Sequence, residues 1–364
     1  MRVLAVNAGS SSLKLSLLDG RNATLAEREL APPGSPGGRT QLRRALASEL
    51  GEADAVGHRI VHGGARLQAP ALIDRGVEQQ LRALTELAPL HQPASLAALD
   101  AVSAALPQLP AVACFDTAFH ATLPAAAATY ALPPAWRRRW GLRRYGFHGL
   151  SHAWVARRAP ELLGRAQGRL RIVSCHLGAG ASLCAIRGGR SLDTTMGFTP
   201  VEGLVMATRP GSVDPGMLTW LLERGRVSPA ELADALEHRS GVLALAGSAD
   251  MRRVLARARE GEQRAVLALD VYVHHLAAAV ASMAASLGGL DVLVFTAGVG
   301  EHAGEIRARA AARLGFLGVR IDGRRNRGGP PDRDLAPRGA AVRTLVLHAR
   351  EDREIARQVR AALS

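Results

Sequence analysis

Lysine is almost missing from this chain: Lys14 is the single lysine among 46 basic residues, and the others are arginine. Cysteine is scarce as well. Cys114, Cys175 and Cys184 are odd in number and scattered through apolar segments, which excludes a disulfide framework and points to buried thiols in a reducing compartment. No basic and apolar leader precedes the strand-like residues 3–6, so the expected location is the cytoplasm. An unbroken membrane-length apolar run is lacking too. The longest candidate, residues 265–287, is interrupted by Asp270, His274 and His275 and reads as a buried helix.

What is present is ordinary for a soluble protein of two domains: 364 residues, 48% hydrophobic and 21% charged. The net charge of +14 raises nucleic acid as a partner. The run Trp136-Arg-Arg-Arg-Trp140 followed by Arg143 and Arg144 has the matching basic and aromatic character. Arginine is nevertheless spread along the whole chain, so solvated surface is the better account and nucleic acid is not the expected partner.

The lone lysine stands in Val6-Asn7-Ala-Gly9-Ser10-Ser-Ser12-Leu-Lys14, a small-residue turn between two apolar runs. Successive backbone N–H groups in such a turn form an anion nest, and an ammonium adds a compact charge to it. A second strand–turn–strand spans residues 172–187, turning at Gly178-Ala-Gly180. At one constant offset Gly9 meets Gly178, Gly20 meets Gly189 and Asn7 meets His176, the mark of a duplicated domain. A third glycine turn, Ala297-Gly298-Val-Gly300, follows the strand-like residues 292–296 and precedes a helix expected over 301–313, an arrangement suited to phosphate or ribose. Residues 56–61 read as a buried strand, and 41–50, 77–87, 217–223 and 229–238 as helices.

Two glycine-rich strand turns, a third at a helix start, and Arg and His in polar loops suggest a phosphotransferase. The same residues resemble, in order and along essentially the whole chain, the acetate kinases of the actin-like kinase superfamily. The landmarks are Asn7 to Lys14, His58-Arg59-Ile-Val61-His62-Gly-Gly, Ala88-Pro-Leu90-His91, Phe115-Asp116-Thr-Ala-Phe119-His120 and Gly146-Phe147-His148-Gly. They continue with His176-Leu-Gly178-Ala-Gly180, residues 195–215, Ser248-Ala-Asp250-Met-Arg252 and Phe295-Thr-Ala-Gly298-Val-Gly300-Glu301.

The resemblance implies an α/β protein of two duplicated actin-like (ribonuclease H-like) domains, with mixed sheets flanked by helices and a cleft between them. The domains would be residues 1–118 plus 351–364, and 119–350. It implies reversible, in-line phosphorylation of acetate to acetyl phosphate by ATP, with Mg²⁺, or Mn²⁺ in its place, and a homodimer. Arg59, Asp116, His148 and Arg209 match the catalytic residues; guanidinium forks suit carboxylate and phosphoryl oxygens, and a histidine on a glycine turn can donate to one of those oxygens. His152, one turn on, is the alternative to His148. Asn7, Ser10, Ser12, Lys14, His176, Gly178, Gly180, Asp250, Arg252, Gly298 and Gly300 match phosphate and nucleotide positions. Val61, Leu90, His91, Phe147 and Pro200 match the acyl pocket. Asn7, Asp116 and Glu351 match the metal side, with Asp352 as the alternative to Glu351.

Departures from the family pattern cluster on the donor side: Ala179 replaces an asparagine, Ala207, Pro210 and Ser212 alter the segment around Arg209, and His302 replaces another asparagine. The phosphoryl donor is therefore the open point, with another nucleotide or pyrophosphate as alternatives to ATP. Rival readings are a propionate or butyrate kinase, an arginine-rich nucleic-acid-binding protein, and a kinase fold that binds ligand without turnover.

Overall fold

The computed structural model describes every residue except 10–11, 88–91, 167 and 169. The expectations for Ser10, Leu90 and His91 therefore lie outside the described residues. Packing divides the chain into two units. One comprises Met1–Ala121, Phe147–Trp154 and Arg350–Ser364; the other comprises Thr122–Gly146 and Val155–Ala349.

The first unit is built on β1 (Val3–Ala8), β2 (Leu13–Leu18), β3 (Thr24–Leu30), β4 (Ala55–Ile60), β5 (Ala71–Leu72) and β6 (Ala111–Phe115). Their order is β3-β2-β1-β4-β6-β5, with β1, β4 and β6 parallel and the remaining neighbours antiparallel. Side chains alternate between faces of a strand, and the sequence uses both. Leu4, Val6, Leu13, Leu15 and Val56 pack with Leu42, Leu46, Ala98 and Val102 from the helices Gly38–Leu46 and Gln92–Ala105. Val3, Ala5, Leu18, Ala55, Val112 and Cys114 pack on the opposite face with Ile355, Ala356 and Val359 of the helix Glu351–Ala362. That helix lies so close that a Cβ on Gly57 would stand 2.4 Å from Ile355 and 2.6 Å from Val359. Burying Ile355 and Val359 completely stabilises the unit by roughly 1.5–3 kcal/mol each.

The second unit repeats the plan. Its strands are β7 (Arg171–Leu177), β8 (Ala181–Arg187), β9 (Arg190–Thr194), β10 (Val292–Thr296), β11 (Arg333–Asp334) and β12 (Arg343–Val346). The order β9-β8-β7-β10-β12-β11 carries the same succession of parallel and antiparallel neighbours as the first sheet. The duplication read from the glycine turns is thus present in strand order and direction. The helix Gln263–Leu287 has the length and composition to cross a membrane; here it lies against β7, β8 and β9 and buries Leu269, Tyr272, Leu276, Val280 and Met283. All three cysteines are free and buried, and burial pushes each thiol well above its ordinary range.

Two local expectations change. The glycine turn 297–300 is itself helical: Ala297, at φ 64°, turns the chain directly out of β10 into the helix Ala297–His302. A break at Ala303 then starts a second helix, Gly304–Arg313. The strand β3 has no counterpart in the sequence reading, because Glu27, Arg28 and Glu29 break its alternation and only Ala26 in it is buried.

Candidate active site

Strand parity and direction gather the first group of polar residues. Asn7, Arg59 and Asp116 stand at or just past the C-terminal ends of the parallel strands β1, β4 and β6. They share parity with Ala5, Gly57 and Cys114, so they project from the face covered by the helix Glu351–Ala362. Lys14 is the direct cross-strand partner of Asn7 and lies exposed on that same face. The turn before it is closed by Gly9 N–H to the Ser12 carbonyl at 2.9 Å.

Arg59 is the knot. Its Nε and Nη2 donate to Asp116 Oδ2 at 3.0 and 2.7 Å, and its Nη1 donates to the Asn7 amide oxygen at 3.0 Å. Asn7 in turn donates from Nδ2 to Glu351 Oε2 at 2.8 Å. Among the described residues three of the five guanidinium N–H donors are committed in this way, which leaves two for a ligand. Burial is the strongest influence on both charges. At Arg59 the Asp116 and Glu351 carboxylates outweigh it and hold the guanidinium charged; at Asp116 burial prevails over Arg59 and raises the carboxyl above its usual range. Asp352, the alternative to Glu351, faces elsewhere and pairs with Arg350 at 2.7 Å.

The segment carrying His148 is tied to the same place. Gly149 N–H donates to the Asp116 carbonyl at 2.8 Å, and a Cβ at Gly149 would stand 2.1 Å from that oxygen. His148, half-buried, takes the left-handed conformation at φ 56° that this approach imposes. His152 is fully buried and stacks edge-on with His120 at 5.6 Å, while His120 Nε2 contacts the Phe147 carbonyl at 3.0 Å. Phe147 and Val61 are buried, and Phe147 meets the His62 ring at 5.5 Å.

The second unit holds the remaining residues. Arg209 pairs with Glu237 at 3.1 Å and donates to the carbonyl of the buried Pro200 at 3.2 Å. Burial lowers the Arg209 pKa while Glu237 works against that shift. His176, the penultimate residue of β7, is buried opposite Thr296 of β10. A cavity of about 470 Å³ opens beside these strand ends. Gly178, Asp250, Arg252 and Gly298 line it, as do the divergent Ala179 and His302. Asp250 caps the helix Met251–Arg259 and is held down at about 2, first by the Arg252 side chain. Gly180 and Gly300 lie outside this lining; Gly300 is packed in the helix Ala297–His302. Much of the wall is apolar, including Val242 and Leu255, and suits a flat ring. Tyr272 also lines it, a residue that sequence reading passes over as part of a core helix.

The basic and aromatic run is partly engaged within its own unit, with Trp136 and Trp140 remaining half exposed. Trp136 and Trp140 meet edge-on at 5.9 Å, Arg139 lies over Trp140, and Arg144 pairs with Glu202 at 2.6 Å.

A Mg²⁺ ion suits the first group. Asp116 Oδ1 is buried and accepts no hydrogen bond among the described residues, and Glu351 is the second carboxylate of the network. No cluster of three or more His, Cys, Asp or Glu able to hold a metal occurs among the described residues.

Comparison with known proteins points one way. The model of the acetokinase family matches residues 39–357. Acetate kinase of Gloeobacter violaceus is 43% identical over 399 residues, covering 98% of each chain. That of Deinococcus deserti is 44% identical over 396 residues, covering 100% of this chain and 98% of the other. Among solved structures, Porphyromonas gingivalis acetate kinase superposes with a TM-score of 0.90 at 36% identity over the whole of both chains. A propionate kinase from Francisella tularensis also gives 0.90, at 33% identity over 98% of each chain.

Proposed function

The chain belongs to the acetokinase family, and we propose that it transfers the γ-phosphoryl group of ATP to acetate, reversibly, giving acetyl phosphate and ADP. The observation that carries this reading is the Arg59 network, a guanidinium locked by Asp116 and Asn7 with two donors left over. An acetate oxygen attacks the γ-phosphorus in line as the bond to the β,γ-bridging oxygen breaks and ADP departs. Little covalent work falls to the protein; its part is to position and to balance charge. Arg59, His148 and Arg209 serve the transferring group and the carboxylate, and Lys14 with the Gly9–Ser12 turn serves the phosphates. When bound, Mg²⁺ supplies charge neutralisation on the donor phosphates, and Asp116, Glu351 and Asn7 are the residues to hold it. The 470 Å³ cavity takes the nucleoside, its apolar wall facing the base. With this reading go a homodimer and a cytoplasmic location, the latter in line with three buried free thiols.

The Francisella propionate kinase superposes as well as the acetate kinase does, so a three-carbon acid is the second reading. Trapping acyl phosphate as the hydroxamate, across ATP, GTP and pyrophosphate and across short-chain acids, tests both. ATP- and acetate-dependent hydroxamate is the expected result; nucleotide binding with no acyl phosphate from any acid overturns the proposal.

A further inference from the structure

The second unit contains another cavity, of about 770 Å³, whose wall includes Arg259, Arg307, Arg327, Arg333, Glu301 and Glu305. Both glutamates are committed. Glu301 accepts from the His348 ring at 2.7 Å and from the Ala349 N–H at 2.9 Å. Glu305 bridges Arg259 at 2.9 Å and Arg309 at 2.7 Å.

The other three arginines meet no carboxylate among the described residues. Arg307 is 1% exposed, yet its acceptors are all neutral: the side-chain and backbone oxygens of Asn326 and the carbonyls of Gly300 and Glu301, at 2.8–2.9 Å. Arg333 donates only to the carbonyls of Arg325 and Pro330, and Arg327 extends into solvent at the end of the helix Gly323–Arg327. A buried charge without a counter-charge is costly. Burial, with the Arg333 charge adding to it, accordingly lowers Arg307 to about 10. By contrast, Arg59, Arg171 and Arg343 each face an aspartate. The helix Gly304–Arg313 also begins on this wall without a side-chain cap, adding its N-terminal dipole.

We propose that this cavity binds a multiply charged phosphate anion of the pyrophosphate type, gripped by Arg327 and Arg333 over the buried Arg307. Guanidinium forks match paired phosphate oxygens; Arg327 and Arg333 supply them, while Arg307, with four of its five donors already engaged, adds an uncompensated positive charge beneath, and three charges around one cavity favour two linked phosphates over one. His302 lines both this cavity and the smaller one assigned to the nucleoside, so the two lie side by side with one side chain in common.

The test is calorimetric titration of the full chain with inorganic pyrophosphate, with and without saturating ATP. The expected result is a saturable event that survives ATP, weakens with inorganic phosphate in its place, and falls about tenfold or more in Arg327→Ala/Arg333→Ala. Acyl phosphate formation by that variant should stay at the wild-type rate, because neither arginine belongs to the catalytic network. Arg327→Lys/Arg333→Lys, which keeps the charge, should retain most of the binding. If the alanine variant does not fold, Arg327→Gln/Arg333→Gln carries the same test. Complete displacement by ATP would assign the pyrophosphate to the donor site, or to a place filled by the nucleotide's own phosphates, and would overturn the proposal. Equal affinity in wild type and variant would overturn it as well, as would the lack of any saturable event.

Discussion

Arg59 holds Asp116 by two hydrogen bonds to the same carboxylate oxygen, at 3.0 and 2.7 Å, on a residue that is itself 1% exposed. In the proposed mechanism the pair unites the guanidinium assigned to the substrate with the carboxylate assigned to the metal, so neither can be altered alone. Arg59→Ala should lower turnover by about 10²-fold or more and, by stranding a buried carboxylate, destabilise the chain by about 3–5 kcal/mol. Initial rates and urea unfolding measure the two effects separately. A rate loss with unchanged unfolding would mean that Asp116 has another partner.

Arg209 gives the contrasting case. Its partner Glu237 is partly exposed, so Arg209→Ala should abolish most turnover and leave the melting curve close to wild type. A near wild-type rate at an unchanged Tm removes Arg209 from the site.

Ala179 lines the 470 Å³ cavity proposed for the nucleoside and is exposed, so a larger side chain fits there. Ala179→Asn should restore an amide beside the phosphates and lower KM for ATP by roughly 2–10-fold, the worth of one hydrogen bond, with kcat little changed. An unchanged KM would show that the missing amide does not explain donor preference.

The acyl side should discriminate by size. Val61 and Phe147 are both buried and bulky, so acetate should be turned over faster than butyrate, with propionate between them. Rates on C2 to C4 acids decide it, and faster turnover of butyrate contradicts the assignment.

His58 sets a pH dependence of stability. It is buried on β4, with no hydrogen-bond partner at either ring nitrogen among the described residues, and burial lowers it from 6.5 to about 4. Between those values the unfolded chain binds a proton that the folded chain refuses, so stability falls as pH drops from about 6.5 towards 4. The effect reaches about 3 kcal/mol. Denaturant midpoints at pH 7 and 5 should converge in His58→Leu relative to wild type; an unchanged gap assigns the slope to other groups.

Much of this was legible in the chain. The glycine turns mark the hairpins β1–β2 and β7–β8 at matching positions, and the buried strand read over residues 56–61 appears as Ala55–Ile60. Proximity across long chain separations was not. Glu351 reaches Asn7 from 344 positions away, and only the packing of the final helix on Gly57 chooses it over Asp352. Tyr272, Val242 and Leu255 line a cavity with residue types that elsewhere fill a core, so their pattern carries no sign of it. At Ala297 a backbone turn available to few side chains converted an expected loop into helix.

The helix Glu351–Ala362 completes the hydrophobic interior of a sheet whose first strand begins at Val3. One face of β1 and β4 is therefore closed by a segment far along the sequence, and this half has no complete interior until the helix Glu351–Ala362 has docked.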